Sequence, residues 1–136
     1  MHKKNGITYQ ENGEMSAEEL AYVFQYSGIK RPWTDMRRLE KMLHHANILV
    51  TASYENQVIG VARGLADFSY CCYLSDLAVL RSFQGQGIGR ELLAAVQRRI
   101  GEESALILLS APEAMSYYPE QGFEKITNGF KIARKC

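Results

Sequence analysis

Leu77-Ala78-Val79-Leu80-Arg81-Ser82-Phe83-Gln84-Gly85-Gln86-Gly87-Ile88-Gly89-Arg90 is the stretch from which the fold is read. An apolar strand runs out at Leu80, and a short turn follows. Glycines at 85, 87 and 89 then lead into a segment with Ile88, Leu92, Leu93, Val96 and Ile100 on one helical face. Glycine lets backbone N–H groups approach an anion closely and take positive φ. The helix start adds about half a unit of positive charge. A pyrophosphate would sit there with no metal. Two other glycine loops fail the comparison. The dinucleotide fingerprint needs its third glycine at 90, where Arg90 stands, and the Walker loop needs a following Gly-Lys-Ser/Thr. The bland alternative is a turn kept glycine-rich only for close strand–helix packing.

Working outward, Tyr70–Leu80 is the third strand of an antiparallel meander, after Ile48–Ala52 and Val58–Leu65, with turns at Glu55-Asn56-Gln57 and Asp67-Phe68-Ser69. Two helices precede the meander. Ser16 and Glu19 make a capping box for the first, which Gly28 closes. Thr34 is the expected N-cap of the second, which carries Met36, Leu39, Met42 and Leu43 and ends near His44-His45. Ile7–Gln10 reads as a first strand. After the glycine-led helix come a strand Ala105–Leu109, a short helix Pro112–Glu120, and two terminal strands, Phe123–Ile126 and Phe130–Ala133. The order is β-α-α-β-β-β-α-β-α-β-β. It predicts an α+β fold: a mixed, mostly antiparallel sheet of about six to seven strands with helices on both faces.

With 136 residues the expectation is one domain spanning 1–136. Hydrophobic residues at 46% and charged residues at 23% are ordinary globular values. A net charge of +1 lacks the basic excess a nucleic-acid binder needs. No stretch reads as a membrane span or export signal. Cys71, Cys72 and Cys136 are odd in number, and adjacent strand residues face opposite ways, so no disulfide framework is expected. The cytoplasm is the expected compartment. No spaced His/Cys cluster suggests a metal.

Gln84-Gly85-Gln86-Gly87-Ile88-Gly89 resembles the Q/R-x-x-G-x-G/A loop of the GNAT family of N-acetyltransferases. Ser75-Asp76-Leu77-Ala78-Val79 is similar to that family's fourth strand, and Tyr117-Tyr118-Pro119-Glu120-Gln121-Gly122-Phe123 to its late Y-x-x-x-G-F element. The element order agrees over nearly the whole chain, which implies the acyl-CoA N-acyltransferase fold.

The resemblance implies acetyl-CoA as co-substrate and the primary amine of a small molecule as acceptor. It implies that free backbone groups on Leu77, Ala78 and Val79 pair with the pantetheine arm as a pseudo-strand. The amides from Gln84 through Gly85, Gln86, Gly87, Ile88 and Gly89 to Arg90 would hold the pyrophosphate. Tyr118 would be the catalytic donor to the departing thiolate, and a phenol with a pKa near ~10 is suited to that. Tyr117 reads as packing. Ser75 and Tyr73 occupy the positions where relatives place a Glu or His base, so the base is left open; Asp67 is an outside candidate against ordinary turn chemistry. Phe24 and Trp33, with Tyr26 nearby, could wall a site for an arylalkylamine, with core and dimer packing as the alternative. Lys30 and Arg31 would favour an anionic acceptor group or face solvent. A homodimer is expected from the exposed edge near Phe130–Ala133. The competing reading is a catalytically silent acyl-CoA-binding or sensing module.

Overall fold

The computed structural model describes residues 2–136. Two short antiparallel strands, β1 (His2–Lys4) and β2 (Ile7–Glu11), open the chain. The helices α1 (Ala17–Ser27) and α2 (Met36–His45) follow, and then the meander β3 (Ile48–Tyr54), β4 (Gln57–Ala66) and β5 (Cys71–Val79). The glycine-led helix α3 (Ile88–Ile100), the short strand β6 (Ala105–Ile107) and one helical turn, α4 (Tyr117–Glu120), complete the regular elements. The strands form one six-stranded sheet in sequence order. Every neighbour pair is antiparallel except β5–β6, which is parallel. This is the mixed α+β sheet expected from the sequence.

Local chemistry explains most boundaries. The Ser16 hydroxyl accepts from Glu19 N at 3.0 Å, while Ser16 N donates to the Glu19 carboxylate at 2.9 Å, so the capping box forms. Gly28 closes α1 at φ +88°. Asp35, not Thr34, caps α2, its carboxylate accepting from Arg38 N at 3.1 Å. Asn5-Gly6, with φ of +53° and +82°, makes the two-residue hairpin turn that joins β1 to β2. That Asn-Gly pair is a strong hairpin signal, and β1 is the strand the sequence reading lacks.

The core lies on both faces of β4. Residues 59–64 are consecutively buried, the pattern of a strand covered on each side. α3 and α1 both pack on β4, with Leu92 of α3 against Gly60. Cys71 is exposed and its neighbour Cys72 buried, as strand alternation requires.

The end of the chain departs from expectation. Pro112–Glu120 is not one helix but a 3-10 turn at Pro112–Ala114 followed by α4. Neither Phe123–Ile126 nor Phe130–Ala133 is a strand: no ladder bonds reach them, and Phe130 and Ile132 are 100% and 97% exposed.

Candidate active site

A fault in β5 builds the site. Arg63 of β4 pairs with Asp76, but the next residue, Gly64, pairs with Leu74, so Ser75 is an extra residue in β5. A bulge of this kind bends its strand and increases local twist. β6 stays with β5 only for Cys71↔Ala105, Cys72↔Leu106 and Tyr73↔Ile107. Past the bulge β5 continues along β4 to Val79 while the chain at Leu108–Ala111 diverges, and a wedge-shaped cleft opens between them. Leu80 N donates to Ile59 O at 2.9 Å, so by alternation Ala78 turns its backbone polar groups to β4 and Leu77 and Val79 turn theirs into the cleft. Ala78, one of the expected pairing residues, therefore contributes a buried side chain rather than a free backbone group.

The glycine loop floors the wide end. Gly85 and Gly87 have φ of +80° and +81°, values costly for any other residue type. A Cβ on Gly85 would meet nothing within 4 Å, and one on Gly87 only Arg90 at 3.8 Å, so the space before the loop is open. The first amides of α3 have no partner in the helix and point out of its N-terminus. Gly89 serves differently: a Cβ there would stand 2.5 Å from the Tyr117 hydroxyl. Tyr117 thus lies against the loop and lines the cavity over it. Gln84 is fully engaged as a donor. Its N–H bonds Arg81 O at 3.3 Å, and its side-chain amide donates to Val79 O at 2.9 Å and Ser27 O at 3.2 Å. It ties loop, β5 and α1 together, and so is a clamp on the cleft more than a ligand contact. Gln86 lies on the far side of the loop, beside Lys4 and Tyr9.

Tyr118 stands where two adjoining cavities meet, one of about 510 Å³ over the glycine loop and one of about 310 Å³ reaching toward Arg31 and Ser75. The Y-x-x-x-G-F element is a helix stop that aims this residue. Gly122 N bonds Pro119 O at 3.1 Å and Phe123 N bonds Tyr118 O at 3.1 Å, with Gly122 at φ +91°. The reversal returns the Phe123 ring to 5.4 Å from that of Tyr118, edge-on. Burial pushes the Tyr118 phenol above its ordinary pKa, Tyr117 adds to this, and Arg31 opposes it. The hydroxyl is a proton donor at neutral pH.

The back wall is a charge cluster. Asp76, fully buried, accepts from Arg31 Nε at 2.6 Å and from Arg63 Nε. Arg31 also donates to Ser75 O at 2.7 Å, and Arg63 to the Ser75 hydroxyl at 3.0 Å. The Arg31 guanidinium is thereby committed to the strand, which removes it as a free anchor for an anionic acceptor. Ser75 likewise spends its hydroxyl on Arg63. Asp67 accepts from Ser69, Tyr70 and Cys71 N at 2.8–3.0 Å, and these bonds hold its pKa at about 2, too low for a useful base.

Several expected acceptor residues are not brought together. Phe24 has no exposed surface and belongs to the core, because α1 turns it onto the sheet. Trp33 and Tyr73 are partly exposed, but neither lines the two cavities. Glu113, which the sequence reading overlooks, is the one carboxylate among the described residues lining both. Its only sequence signal is its position shortly before Tyr118. Among the described residues no cluster could hold a metal and no helix is long and apolar enough to cross a membrane.

Comparison with known proteins gives the family and the fold. Residues 11–133 match the family model described as an acetyltransferase (GNAT) domain. An uncharacterized N-acetyltransferase, ycf52, of Porphyra purpurea is 28% identical over 109 residues, covering 76% of this chain and 61% of that protein. A probable acetyltransferase of meticillin-resistant Staphylococcus aureus superposes with a TM-score of 0.81 at 22% identity, covering 94% of this chain and 99% of that one. An aminoglycoside N-acetyltransferase in complex with CoA superposes with a TM-score of 0.71 at 20% identity, covering 100% of this chain and 99% of that one. The structural likenesses establish the fold.

Proposed function

This chain belongs to the acetyltransferase (GNAT) domain family, and from that premise we propose that it is an acetyl-CoA-dependent N-acetyltransferase. It moves an acetyl group to the primary amine of a small molecule by direct attack in a ternary complex. Residues 1–136 act as a single domain. The carrying observation is one cleft that joins an open glycine loop at a helix N-terminus, a stretch of β5 with no strand beside it on that side, and a half-buried phenol. The solved relative named with CoA supports that choice of co-substrate.

The residues fit the group. The open space before Gly85 and Gly87 suits a pyrophosphate, held by amides at the start of α3 with Arg90 beside them. The backbone groups of Leu77 and the N–H of Val79, whose carbonyl is held by Gln84, suit the amides of the pantetheine arm. Acetyl-CoA supplies an activated acyl group as a thioester. Val79 N–H is the donor for the carbonyl oxygen as it gains charge, and the Tyr118 hydroxyl is the donor for the departing sulfur. With Ser75 tied to Arg63, the amine proton is assigned to Glu113, a reading supported by its being the carboxylate that lines both cavities. The acceptor enters through the Arg31–Ser75 side of the cleft. Without Phe24 as an exposed wall, an arylalkylamine gains no special support over other primary amines. The free thiols fit a reducing compartment such as the cytoplasm.

Thiol release from acetyl-CoA against a panel of primary amines tests this reading. Amine-dependent release that falls in Glu113→Gln and Tyr118→Phe supports it. Tight acetyl-CoA binding with no release from any amine replaces it with a silent binding module, a reading favoured by the commitment of Ser75 to Arg63.

A further inference from the structure

Ser75 is the residue that the β4–β5 ladder skips, and a bulge leaves its extra residue unpaired. Its carbonyl accepts from Arg31 Nη2 at 2.7 Å. The same guanidinium donates through Nε to Asp76 at 2.6 Å and through Nη1 to Lys30 O at 2.7 Å. Bonds from all three nitrogens fix its plane. The α1–α2 connector that carries Arg31 is tied a second time, where Gln84 donates to Ser27 O at 3.2 Å.

Charge balance leaves this fixed group a cation. Arg31 and Arg63 share the single carboxylate of Asp76, so the cluster keeps one net positive charge. Arg63 and Asp76 are buried behind the wall, whereas Arg31 is partly exposed and lines the 310 Å³ cavity together with Tyr118 and Glu113. The other titratable and charged groups around the phenol are Tyr117 on its own helix, Arg90 across the glycine-loop cavity, and Glu124 and Lys125 beyond Phe123. Of the cations, Arg31 is the one that opposes the upward push of burial on the phenol. A charge fixed in a site partly shut off from water acts more strongly than the same charge in solvent.

We propose that Arg31 is a positioning residue for acetyl transfer, held by the Ser75 bulge and Asp76 so that its charge faces the cavity of Tyr118 and balances the phenolate that proton donation leaves behind. The inference rests on the acetyl-transfer reading of the cleft. Tyr118 gives its proton to the sulfur as the carbon–sulfur bond breaks and the electron pair of that bond moves onto sulfur. A phenolate remains until water returns the proton. Half-buried and without a counter-charge, that phenolate is costly. Arg31 supplies the counter-charge in place, with no side chain to move at the moment of reaction. The bulge thereby gains a chemical purpose, because the carbonyl it frees is one of the two β5 groups that hold the guanidinium.

Arg31→Gln and Arg31→Lys are compared with the wild type in two measurements. One is phenolate absorbance on alkaline titration, with Tyr118→Phe in each background subtracted to isolate Tyr118. The other is kcat and KM against pH, with acetyl-CoA and the fastest primary amine of the panel. In Arg31→Gln the Tyr118 titration and the alkaline limb of kcat both move up, by about half a pH unit or more. Its kcat at neutral pH falls about tenfold, with KM for acetyl-CoA little changed. Arg31→Lys keeps the charge and recovers most of the rate and of the titration. Cooperative thermal melts report that both variants are folded. Equal losses in the two variants with an unmoved Tyr118 titration overturn the proposal and leave Arg31 a structural tie. A wild-type chain that releases thiol with no amine fails the acetyl-transfer reading itself, and the role of Arg31 in transfer falls with it.

Discussion

With its carboxylate fully buried, Asp76 bridges Arg31 of the α1–α2 connector and Arg63 of β4. Removing one partner of such a cluster strands a charge in a low-dielectric interior. Asp76→Ala is therefore expected to cost about 3–5 kcal/mol, read as a lower denaturant midpoint. Arg31→Ala costs less, because Arg31 is 29% exposed and water can take its place. Tyr118→Phe keeps the edge-on packing with Phe123 and deletes only the donor. Its kcat is expected to fall about 10²-fold with acetyl-CoA affinity little changed. In single-turnover kinetics an unchanged rate would return Tyr118 to a packing role. The alkaline limb of kcat in the wild type lies above the ordinary tyrosine range, because burial raises the phenol, and Tyr118→Phe loses that limb. Asp67 titrates the other way. Its pKa falls from 3.8 to about 2 on folding, so its contribution is complete above its unfolded value and is lost as pH drops toward 2. Asp67→Asn accordingly lowers the melting temperature at neutral pH, and the difference from wild type closes between about pH 4 and pH 2.

At the scale of elements, the glycine loop divides its labour. Gly85 and Gly87 are required for positive φ, and Gly89 for the approach of Tyr117. Gly89→Ala puts a methyl 2.5 Å from the Tyr117 hydroxyl, and Tyr117→Phe removes that oxygen. The double variant is expected to melt at a higher temperature than Gly89→Ala alone, a non-additivity that thermal melts read directly. Loop and capping box were legible in the sequence, because each is a local pattern with a local cause. The Y-x-x-x-G-F element was legible there only as a resemblance, and its role as a helix stop comes from the Gly122 and Phe123 backbone bonds. The Ser75 bulge was not legible. Strand alternation reads straight through an inserted residue, and only the pairing with β4 shows that Arg63↔Asp76 gives way to Gly64↔Leu74. Glu113 was hidden for a related reason, since what places it in the cleft is the divergence of the chain beyond β6. Phe24 failed as an acceptor wall because helical spacing marks a buried face without saying what lies under it. The terminal strands failed as strands within this chain because period-two alternation shows that a segment can pair, and not with whom.

Over the whole molecule, the cleft is made by disagreement between β5 and β6, and everything proposed for function gathers there: amides at the start of α3, backbone of Leu77 and Val79, Tyr118 and Glu113. The rest of the fold holds the wedge open. Gln84 pins the end of β5 to α1 and to the loop, and the Arg31–Asp76–Arg63 cluster locks the bulge from behind. Calorimetric titration of acetyl-CoA into the wild-type chain and into Gly87→Val tests that claim most directly. The substitution places a branched side chain at φ +81°, in the space assigned to the pyrophosphate. The expected result is saturable wild-type binding that the folded variant weakens more than tenfold, over ~1.4 kcal/mol. Equal affinity in the two folded proteins, or no wild-type binding at millimolar ligand, would contradict the account.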